Sequence, residues 1–159
     1  MKNYLTDLEN LIEIRKQLKN SGKKVVFTNG CFDIIHAGHV DYLVKAKSFG
    51  DVLIVGLNSD ASVKKIKGDN RPIIPELERA FVLYNLKPVD YVVLFDEETP
   101  INLIEKIIPD FLVKGSDWDL DNIVGKDVVL ANGGEVKTID FIHRQSTSNI
   151  IKTILEKYR

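Results

Sequence analysis

The chain has 159 residues, of which 44% are hydrophobic and 28% are charged, and this is an ordinary globular composition. A net charge of −1 excludes a protein that attracts nucleic acid or an anionic membrane through its overall field, so an anionic ligand has to be bound by a local cluster. The single cysteine excludes an internal disulfide and fits a reducing compartment. The sequence has neither a long apolar run nor the pattern of a signal peptide, and we expect one cytoplasmic domain over residues 1–159, with neither nucleic acid nor a membrane as a partner.

The first predicted element is an amphipathic helix within residues 1–22. Apolar residues recur at three- and four-residue spacing from Leu8 to Leu18, and the pattern ends near Ser21-Gly22. The remaining residues, 23–159, are expected to form an α/β core.

Short apolar runs alternate with helical patterns through this core. Most of the runs are rich in β-branched and aromatic residues and do not alternate with polar ones, which is typical of strands covered on both faces. The runs span residues 25–27, 52–57, 89–95, 111–113 and 136–141, and the helical patterns span residues 40–49, 76–86, 101–108, 124–131 and 149–158. This order predicts a doubly wound, mainly parallel five-stranded sheet of the Rossmann-like type.

In such sheets, ligands bind at the carboxyl ends of the strands, where the strand order reverses. The polar segments after four of the runs are therefore the candidate site, and they span residues 28–39, 58–67, 114–118 and 143–149. The two commonest phosphate-binding motifs are missing, because no G-x-x-x-x-G-K-[ST] occurs and no G-x-G-x-x-G follows the first strand. The first run is followed instead by G-x-F-D-x-x-H-x-G-H, in which Gly30 lets the chain turn out of the strand and Asp33 can brace the loop.

This string predicts a phosphate site at the start of a helix. If the helix begins near Ala37, its first N–H groups are open to a phosphate, and Gly38 lets the phosphate come close. His36 and His39 then lie on one side of the helix start, where both imidazoles can stabilise charge on a phosphoryl group in transfer.

Other interpretations of the histidines stay open. Either one can be a surface residue or a core residue with a satisfied hydrogen bond. The pair can also supply two ligands to zinc, although zinc usually needs three or four, and only Cys31 or Asp33 is near enough in sequence to add one. The third histidine, His143, stands alone and is interpreted as a structural or surface residue.

The chain resembles the cytidylyltransferase-like branch of the nucleotidyltransferase superfamily, whose motif H-x-G-H is His36-Ala37-Gly38-His39 here. The resemblance runs from Lys24 onward and is closer, within that branch, to the heptose 1-phosphate adenylyltransferases that make ADP-heptose. The closer match rests on the stretches TNGCFDIIHAGHVDYL, VGLNSDASVKKIKGDNRP, DFLVKGSDW, ANGGEV and STSNIIK. Because this domain is often fused to a sugar kinase, the resemblance implies a separate kinase upstream, and because dimers are common in the family it also allows a homodimer.

The resemblance implies that the phosphate of a sugar 1-phosphate attacks the α-phosphate of ATP and releases pyrophosphate, as a step toward lipopolysaccharide or another surface glycan. A phosphate nucleophile is ionised at neutral pH, so no general base is needed, and catalysis consists of positioning and charge stabilisation. Magnesium is expected on the triphosphate, with no metal ligand assigned to the protein.

The resemblance also implies roles for individual residues. The expected catalytic residues are His36, His39 and Lys67. The expected nucleotide-binding residues are Asn29, Gly30, Cys31, Phe32, Asp33, Gly38, Lys114, Gly115, Asp117, Trp118, Ser146, Thr147 and Ser148. The expected substrate- or phosphate-binding residues are Asn58, Asp60, Lys64, Lys65, Arg71 and Arg79, and the cations between residues 64 and 71 are expected on a mobile loop that closes on the phosphates.

Plainer interpretations of several of these residues stay open. The lysines can form a solvated face, Arg79 can be an exposed helix residue, and Trp118 can be a packing residue. The hydroxyl residues 146–148 can cap the last helix without binding a phosphate.

One departure separates the chain from the related cytidylyltransferases, which carry R-T-x-G-I-S-T before the last helix. Residues 141–147 read FIHRQST here, without the leading arginine and the glycine, and Arg144 stands where the heptose branch often has a small residue. The departure argues against a cytidine-using enzyme of that subtype. A glycerol 3-phosphate or alditol phosphate cytidylyltransferase, and a nucleotide-binding module without turnover, remain the alternatives.

Overall fold

The structure is a computed structural model that describes residues 4–117, 119–141 and 146–158. Its strands are β1 (Val25–Gly30), β2 (Val52–Asn58), β3 (Tyr91–Phe95), β4 (Phe111–Gly115) and β5 (Glu135–Ile139). Its helices are α1 (Leu8–Asn20), α2 (Ala37–Lys47), α3 (Asp60–Lys67), α4 (Glu76–Tyr84), α5 (Ile101–Ile107), α6 (Lys126–Ala131) and α7 (Thr147–Lys157), with a 3₁₀ turn at Leu120–Asn122. Within the described ranges, every helix falls short of the length and apolar character that a bilayer-spanning segment needs.

The five strands form one sheet in the order β3-β2-β1-β4-β5, and all neighbouring pairs are parallel. This confirms the predicted doubly wound α/β fold. The chain passes from β1 through β2 to β3 and then crosses back to β4, so the strand order reverses between β1 and β4. The carboxyl ends of these two strands, at Gly30 and Gly115, therefore flank the place where a ligand crevice forms in such sheets.

Helices cover both faces of the sheet, which explains why the strands are apolar on both sides. On one face, Val26 of β1 packs in a cluster with Leu43 of α2 and with residues of α4. On the other face, Phe27 packs with Leu11 of α1 and Ile104 of α5. All five of these side chains are completely buried. Burial of successive residues on opposite faces removes the alternation that a strand with one solvated face would show.

Helix α1 joins the second face through a buried arginine. Arg15 donates hydrogen bonds to the carbonyl oxygens of Ile107 and Ile108 over 2.9–3.2 Å, and its Nη2 lies 3.2 Å from Asp110 Oδ2. These carbonyls end α5, where the last turn of a helix leaves acceptors without helical partners. The contact lies at the amino end of β4, whereas the site lies at the carboxyl ends of the strands.

Helix α3 corrects one sequence prediction, because the cations between residues 64 and 71 are predicted on a mobile loop, whereas Asp60–Lys67 is helical. The Ser59 side chain caps the helix by accepting a hydrogen bond from the Ser62 N–H at 3.2 Å. An acidic residue in the first turn and three lysines in the last turn also favour the helix dipole. The segment contains too few apolar residues for hydrophobic periodicity to reveal the helix.

Candidate active site

A cleft of about 460 Å³ opens at the carboxyl edge of the sheet. Residues Asn29–Asp33, which span the end of β1 and the loop after it, line one part of it together with His39 of α2. The end of β4 adds Lys114, the segment after it adds Asp117 and Val124, and the start of α7 adds residues 146–148. The structure thus brings together residues from all four segments that the sequence pointed to.

The loop after β1 leaves the strand in a tight turn. A Cβ atom on Gly30 would lie 2.9 Å from Cε2 of the Phe32 ring, so a side chain at Gly30 would displace that ring. Phe32 itself has a φ of 45°, in the left-handed region that non-glycine residues rarely adopt. The turn delivers the chain to α2, which begins at Ala37 as predicted.

The start of α2 differs from the prediction in its hydrogen bonds. His36 is the N-cap residue, and its Nδ1 accepts a hydrogen bond from the Gly38 N–H at 3.1 Å. The His39 N–H donates to the His36 carbonyl oxygen at 3.0 Å. The expectation that these first amides are open to a phosphate is therefore wrong for Gly38 and His39. Gly38 is buried and is not among the described residues that line the cleft.

The two imidazole rings stack on each other, with centroids 4.0 Å apart and planes 27° apart. His39 lines the cleft and also contacts the Phe32 ring, at a centroid distance of 5.3 Å. His36 is not among the described residues that line the cleft. His36 caps α2 and stacks on the ring of His39, and the expected contact of His36 with a phosphate stays a prediction.

His39 is uncharged at neutral pH. Burial, together with a smaller contribution from the neighbouring His36, lowers the pKa of His39 to about 4. The Nδ1 atom of His39 is buried and has no hydrogen-bond partner in the part of the chain that the structure describes. Buried polar atoms normally have partners, so this atom is one that a ligand in the cleft can satisfy.

Asp33 braces the loop, as predicted. Its carboxylate accepts hydrogen bonds from the Ile73 and Ile74 N–H groups at 2.8–2.9 Å and forms an ion pair with Arg71 Nε at 2.6 Å. Burial by itself would raise the pKa of Asp33, but these backbone hydrogen bonds and the Arg71 charge hold it below its usual value. Asp33 therefore ties the loop after β1 to the segment between α3 and α4, and Arg71, which also lines the cleft, is held in place by the pair.

Arg79 of α4 is buried and makes hydrogen bonds to three different segments. Its Nη1 donates to the carbonyl oxygens of Cys31 and Asn58 at 2.5 and 2.9 Å, and its Nε donates to the Ile74 carbonyl at 2.9 Å. Its Nη2 forms an ion pair with Asp60 Oδ1 at 2.7 Å. Neither Arg79 nor Asp60 is among the described residues that line the cleft. These contacts join α4 to the ends of β1 and β2 and to α3, and the expected contact of Arg79 and Asp60 with a phosphate stays a prediction.

Lys114 lies where β4 ends beside β1. It is 6% exposed, and its Nζ donates a hydrogen bond to Asn29 Oδ1. Burial lowers the pKa of Lys114 to about 8, although the nearby Asp117 raises it in part. Lys114 also lines a smaller adjoining cavity of about 150 Å³. It is thus a mostly charged amine at neutral pH, placed at the point where the strand order reverses.

Gly115, which also lines the smaller cavity, has no room for a side chain. A Cβ atom there would lie 2.3 Å from the Phe141 ring and 2.5 Å from Asp117 Oδ1. The Cys31 thiol lines both cavities, and burial raises its pKa although Lys67 lowers it in part. Cys31 and Gly115 thus lie at the walls of the cavities between the ends of β1 and β4.

The predicted cation cluster divides into two parts. Lys67 and Arg71 line the cleft, whereas Lys64 and Lys65 are exposed and are not among the described residues that do so. Since the three lysines belong to the last turn of α3, the expectation of a mobile loop that carries all of them is corrected. For Lys64 and Lys65 the solvated-face alternative fits the structure better.

The start of α7 lines the cleft with Ser146, Thr147 and Ser148. Ser146 is also the N-cap residue, and its Oγ accepts a hydrogen bond from the Asn149 N–H at 3.1 Å. Capping therefore accounts for Ser146, and the position of all three hydroxyls is compatible with a phosphate as well. The predictions for Trp118, His143 and Arg144 lie outside the described residues.

Sequence reasoning missed five residues that line the cleft: Ile66, Glu98, Thr99, Pro100 and Val124. Three of these follow β3 directly. The rule that points to the carboxyl ends of parallel strands applies to this strand as to the others, and it would have found them. Asn58, at the end of β2, lines the cleft as expected.

The described residues contain no group of three or more histidine, cysteine, aspartate or glutamate side chains that could hold a metal ion. The zinc alternative for the histidine pair therefore finds no support in this part of the chain. Three cations line the cleft, Lys67, Arg71 and Lys114, and they can bind an anionic ligand. Three carboxylates line it as well, those of Asp33, Glu98 and Asp117.

A parallel sheet with a phosphate-compatible cleft at its reversal point, and H-x-G-H at the start of the following helix, defines a nucleotidyltransferase of the Rossmann-like type. The profile of the cytidylyltransferase-like family matches residues 27–153. The chain belongs to the cytidylyltransferase-like family.

Curated relatives match almost the whole chain at high identity. The bifunctional protein HldE of Geobacter metallireducens is 54% identical over 154 residues, which are 97% of this chain and 31% of that protein. The bifunctional protein HldE of Campylobacter concisus is 56% identical over 153 residues, which are 96% of this chain and 32% of that protein. The chain therefore spans about a third of the length of the curated relatives that it matches.

Two solved structures share the fold. A lipopolysaccharide core biosynthesis protein from Thermoplasma volcanium is 30% identical, with a TM-score of 0.63 over 78% of this chain and 100% of that one. Pantoate-beta-alanine ligase from Francisella tularensis has a TM-score of 0.61 over 89% of this chain and 67% of that one. At 15% identity, the second likeness concerns the fold alone.

Proposed function

We propose that the chain is a sugar 1-phosphate adenylyltransferase that joins ATP and heptose 1-phosphate to give ADP-heptose and pyrophosphate. The observation that carries this proposal is the cleft at the reversal point, in a chain more than half identical to proteins named bifunctional protein HldE. A product of this kind would serve lipopolysaccharide or another surface glycan. The name of the solved relative from Thermoplasma volcanium supports that destination.

The charges around the cleft support a triphosphate as one ligand. Lys67, Arg71 and Lys114 all line it, in a chain whose net charge is only −1. His39 is neutral but keeps one ring N–H to donate, and a neutral donor in a partly buried site can stabilise an anion without the desolvation cost of a second charge. Together these groups can hold the phosphates and stabilise the charge that builds during transfer.

In the proposed step, an oxygen of the sugar phosphate forms a bond to the α-phosphorus of ATP. The bond from that phosphorus to the bridging oxygen of the departing pyrophosphate breaks, and the bridging oxygen keeps the electron pair. Because the attacking phosphate is ionised at neutral pH, no side chain has to remove a proton. The work of His39, Lys67 and Lys114 is then to align the two phosphates and stabilise the added negative charge.

We also propose magnesium as the cofactor, since a bound divalent cation neutralises triphosphate charge and orients its oxygens. Because the described residues offer no cluster of three metal ligands, phosphate oxygens and water would supply most of its ligands.

We further propose that a kinase activity outside this chain supplies the sugar 1-phosphate, and that the reaction takes place in the cytoplasm. The name bifunctional, given to relatives about three times as long as the chain, supports a second activity elsewhere in those proteins. A homodimer stays a prediction.

The test is a matrix of the four nucleoside triphosphates against several phosphorylated sugars and polyols, with pyrophosphate release as the readout. We expect the highest kcat/KM with ATP and heptose 1-phosphate. A preference for CTP with glycerol 3-phosphate would establish the cytidylyltransferase alternative. Nucleotide binding in a calorimeter without pyrophosphate from any pair would establish a binding module instead.

A further inference from the structure

Two polar residues after β3 have no task in the nucleotide transfer described above. Glu98 and Thr99 line the cleft beside Pro100 and the buried Asn58. They follow the edge strand β3, whereas Lys114 lies at the end of β4 and the start of α7 follows β5, on the other side of β1. The cleft therefore has two ends, and the end near β3 is free for the second substrate.

The backbone around these two residues is anchored by neighbouring segments. Ser62 Oγ of α3 donates to the Glu97 carbonyl oxygen at 2.7 Å and accepts a hydrogen bond from Asn58 Nδ2 at 2.9 Å. The Ser59 N–H donates to the Phe95 carbonyl oxygen at 3.0 Å. Pro100, which is buried, fixes the other side of the segment as the first residue before α5. Glu98 and Thr99 are thus presented to the cleft from a segment with fixed ends, as a selective site requires.

The carboxylates of the neighbours Glu97 and Glu98 differ in whether they already have hydrogen-bond partners among the described residues. Glu97 accepts hydrogen bonds from Asn102 Nδ2 at 2.8 Å and from the Asp96 N–H at 3.1 Å, and it is not among the described residues that line the cleft. Glu98 makes no hydrogen bond or ion pair to any described residue. Asp33, another carboxylate of the cleft, is already bound to Arg71 and two backbone amides.

The chemistry of this pair favours hydroxyl groups over phosphate. A carboxylate only accepts hydrogen bonds and repels a phosphate, while a threonine hydroxyl both donates and accepts. Several adjacent hydroxyls of a sugar can donate to the carboxylate and bond with the threonine, and an anionic phosphate would stay near the cations at Lys67 and Arg71.

We infer that Glu98 and Thr99 form the subsite that binds the hydroxyl groups of the sugar phosphate, and that Glu98 determines the selectivity for a polyhydroxylated acceptor. The inference rests on the proposed function, because it assigns an end of the same cleft to the second substrate.

The experiment measures steady-state pyrophosphate release for Glu98→Gln and Thr99→Val, with ATP and heptose 1-phosphate varied in turn. We expect Glu98→Gln to raise the KM for the sugar phosphate by about tenfold or more and Thr99→Val by a smaller factor, with the KM for ATP within about twofold of wild type. Inorganic phosphate, used as a competitive inhibitor, is expected to bind Glu98→Gln at least as well as wild type, because it has no sugar hydroxyls to lose and the variant removes a repelling charge.

Glu97→Gln is the matched control, since it removes the adjacent charge from the same segment. It is expected to lower the thermal midpoint slightly and to leave the KM for the sugar phosphate unchanged. An unchanged sugar phosphate KM in both cleft variants, or an equal rise in the KM for ATP, overturns the inference while the proposed function stands. If wild-type protein releases no pyrophosphate with any sugar phosphate, the proposed function fails, and the inference fails with it.

Discussion

Lys114 links the activity of the site to pH. Its amine is buried at the end of β4, and its pKa is lowered to about 8. As the pH rises through that value, the free enzyme loses the positive charge that attracts a phosphate. We therefore expect kcat/KM for ATP to fall above about pH 8, because this parameter reports ionisations of the free enzyme.

Lys114→Gln tests this assignment. The variant is expected to lower kcat/KM for ATP by on the order of 10²-fold at neutral pH and to abolish the decline above pH 8, because the amide does not ionise. The measurement is pyrophosphate release from about pH 6 to pH 10. A Gln variant that keeps the same alkaline decline would assign the ionisation to another group.

The two histidines are expected to separate into a ligand-facing residue and a supporting one. His39→Ala removes the ring that lines the cleft and should lower kcat by on the order of 10²-fold. His36→Ala removes the N-cap of α2 and should lower the free energy of unfolding by about 1 kcal/mol, whereas His36→Asn should restore it because asparagine caps well. Urea unfolding and kcat are measured for all three variants, and equal loss of kcat in His36→Asn and His39→Ala would contradict the division.

At the scale of elements, the segment between α3 and α4 holds the walls of the cleft together. Asp33 bonds to residues 71, 73 and 74 of that segment, and Arg79 bonds to the ends of β1 and β2. Asp60 in the first turn of α3 is paired with Arg79, so the start of that helix is also tied to α4. The cations at residues 67 and 71 are placed by these contacts.

Arg79→Lys is the variant that tests the arrangement. A lysine keeps the charge but cannot reach all the acceptors of the guanidinium, so the Cys31 or Asn58 carbonyl loses its partner. We expect the free energy of unfolding to fall by roughly 2–4 kcal/mol and the KM for ATP to rise several-fold at temperatures where the variant is folded. Lys65→Arg, which exchanges the same two side-chain types at an exposed residue of α3 away from the cleft, is the matched control. Wild-type KM and stability in Arg79→Lys would show that the contacts position nothing.

At the scale of the whole molecule, His39 makes the fold itself sensitive to acid. Its pKa is about 4 in the folded chain and about 6.5 when unfolded, so between these values the unfolded state binds more protons. Stability is therefore expected to fall as the pH drops from about 6.5 to about 4. Urea unfolding at several pH values should show a smaller decline for His39→Asn, which has no imidazole to protonate, and identical declines would contradict the assignment.

The sequence predicts the sheet and every helix except α3, because the apolar runs and helical periods are strong signals. The sheet, its parallel connections and the convergence of four polar segments follow from strand burial and from the rule of the reversal point. The missed features are those fixed by single tertiary contacts. No periodicity reveals that α3 is helical, that Arg79 is buried against three carbonyl oxygens, or that the His36 ring turns back to cap its own helix. The residues after β3 were missed although the same rule includes them.

Helix α7 begins at the cleft, yet none of its residues is buried. A helix with so little buried surface opens at a low free energy, well below that of the sheet. A nucleotide that contacts the first turn of α7 would bind only the folded helix and would therefore stabilise it. The fraction of protein with bound nucleotide and the fraction with α7 formed would then rise together. We expect the amide hydrogens of residues 150–157 to exchange rapidly with deuterium in the free protein and to slow in proportion to bound ATP. Exchange rates that do not change when ATP binds would show that α7 is stabilised by the rest of the chain alone.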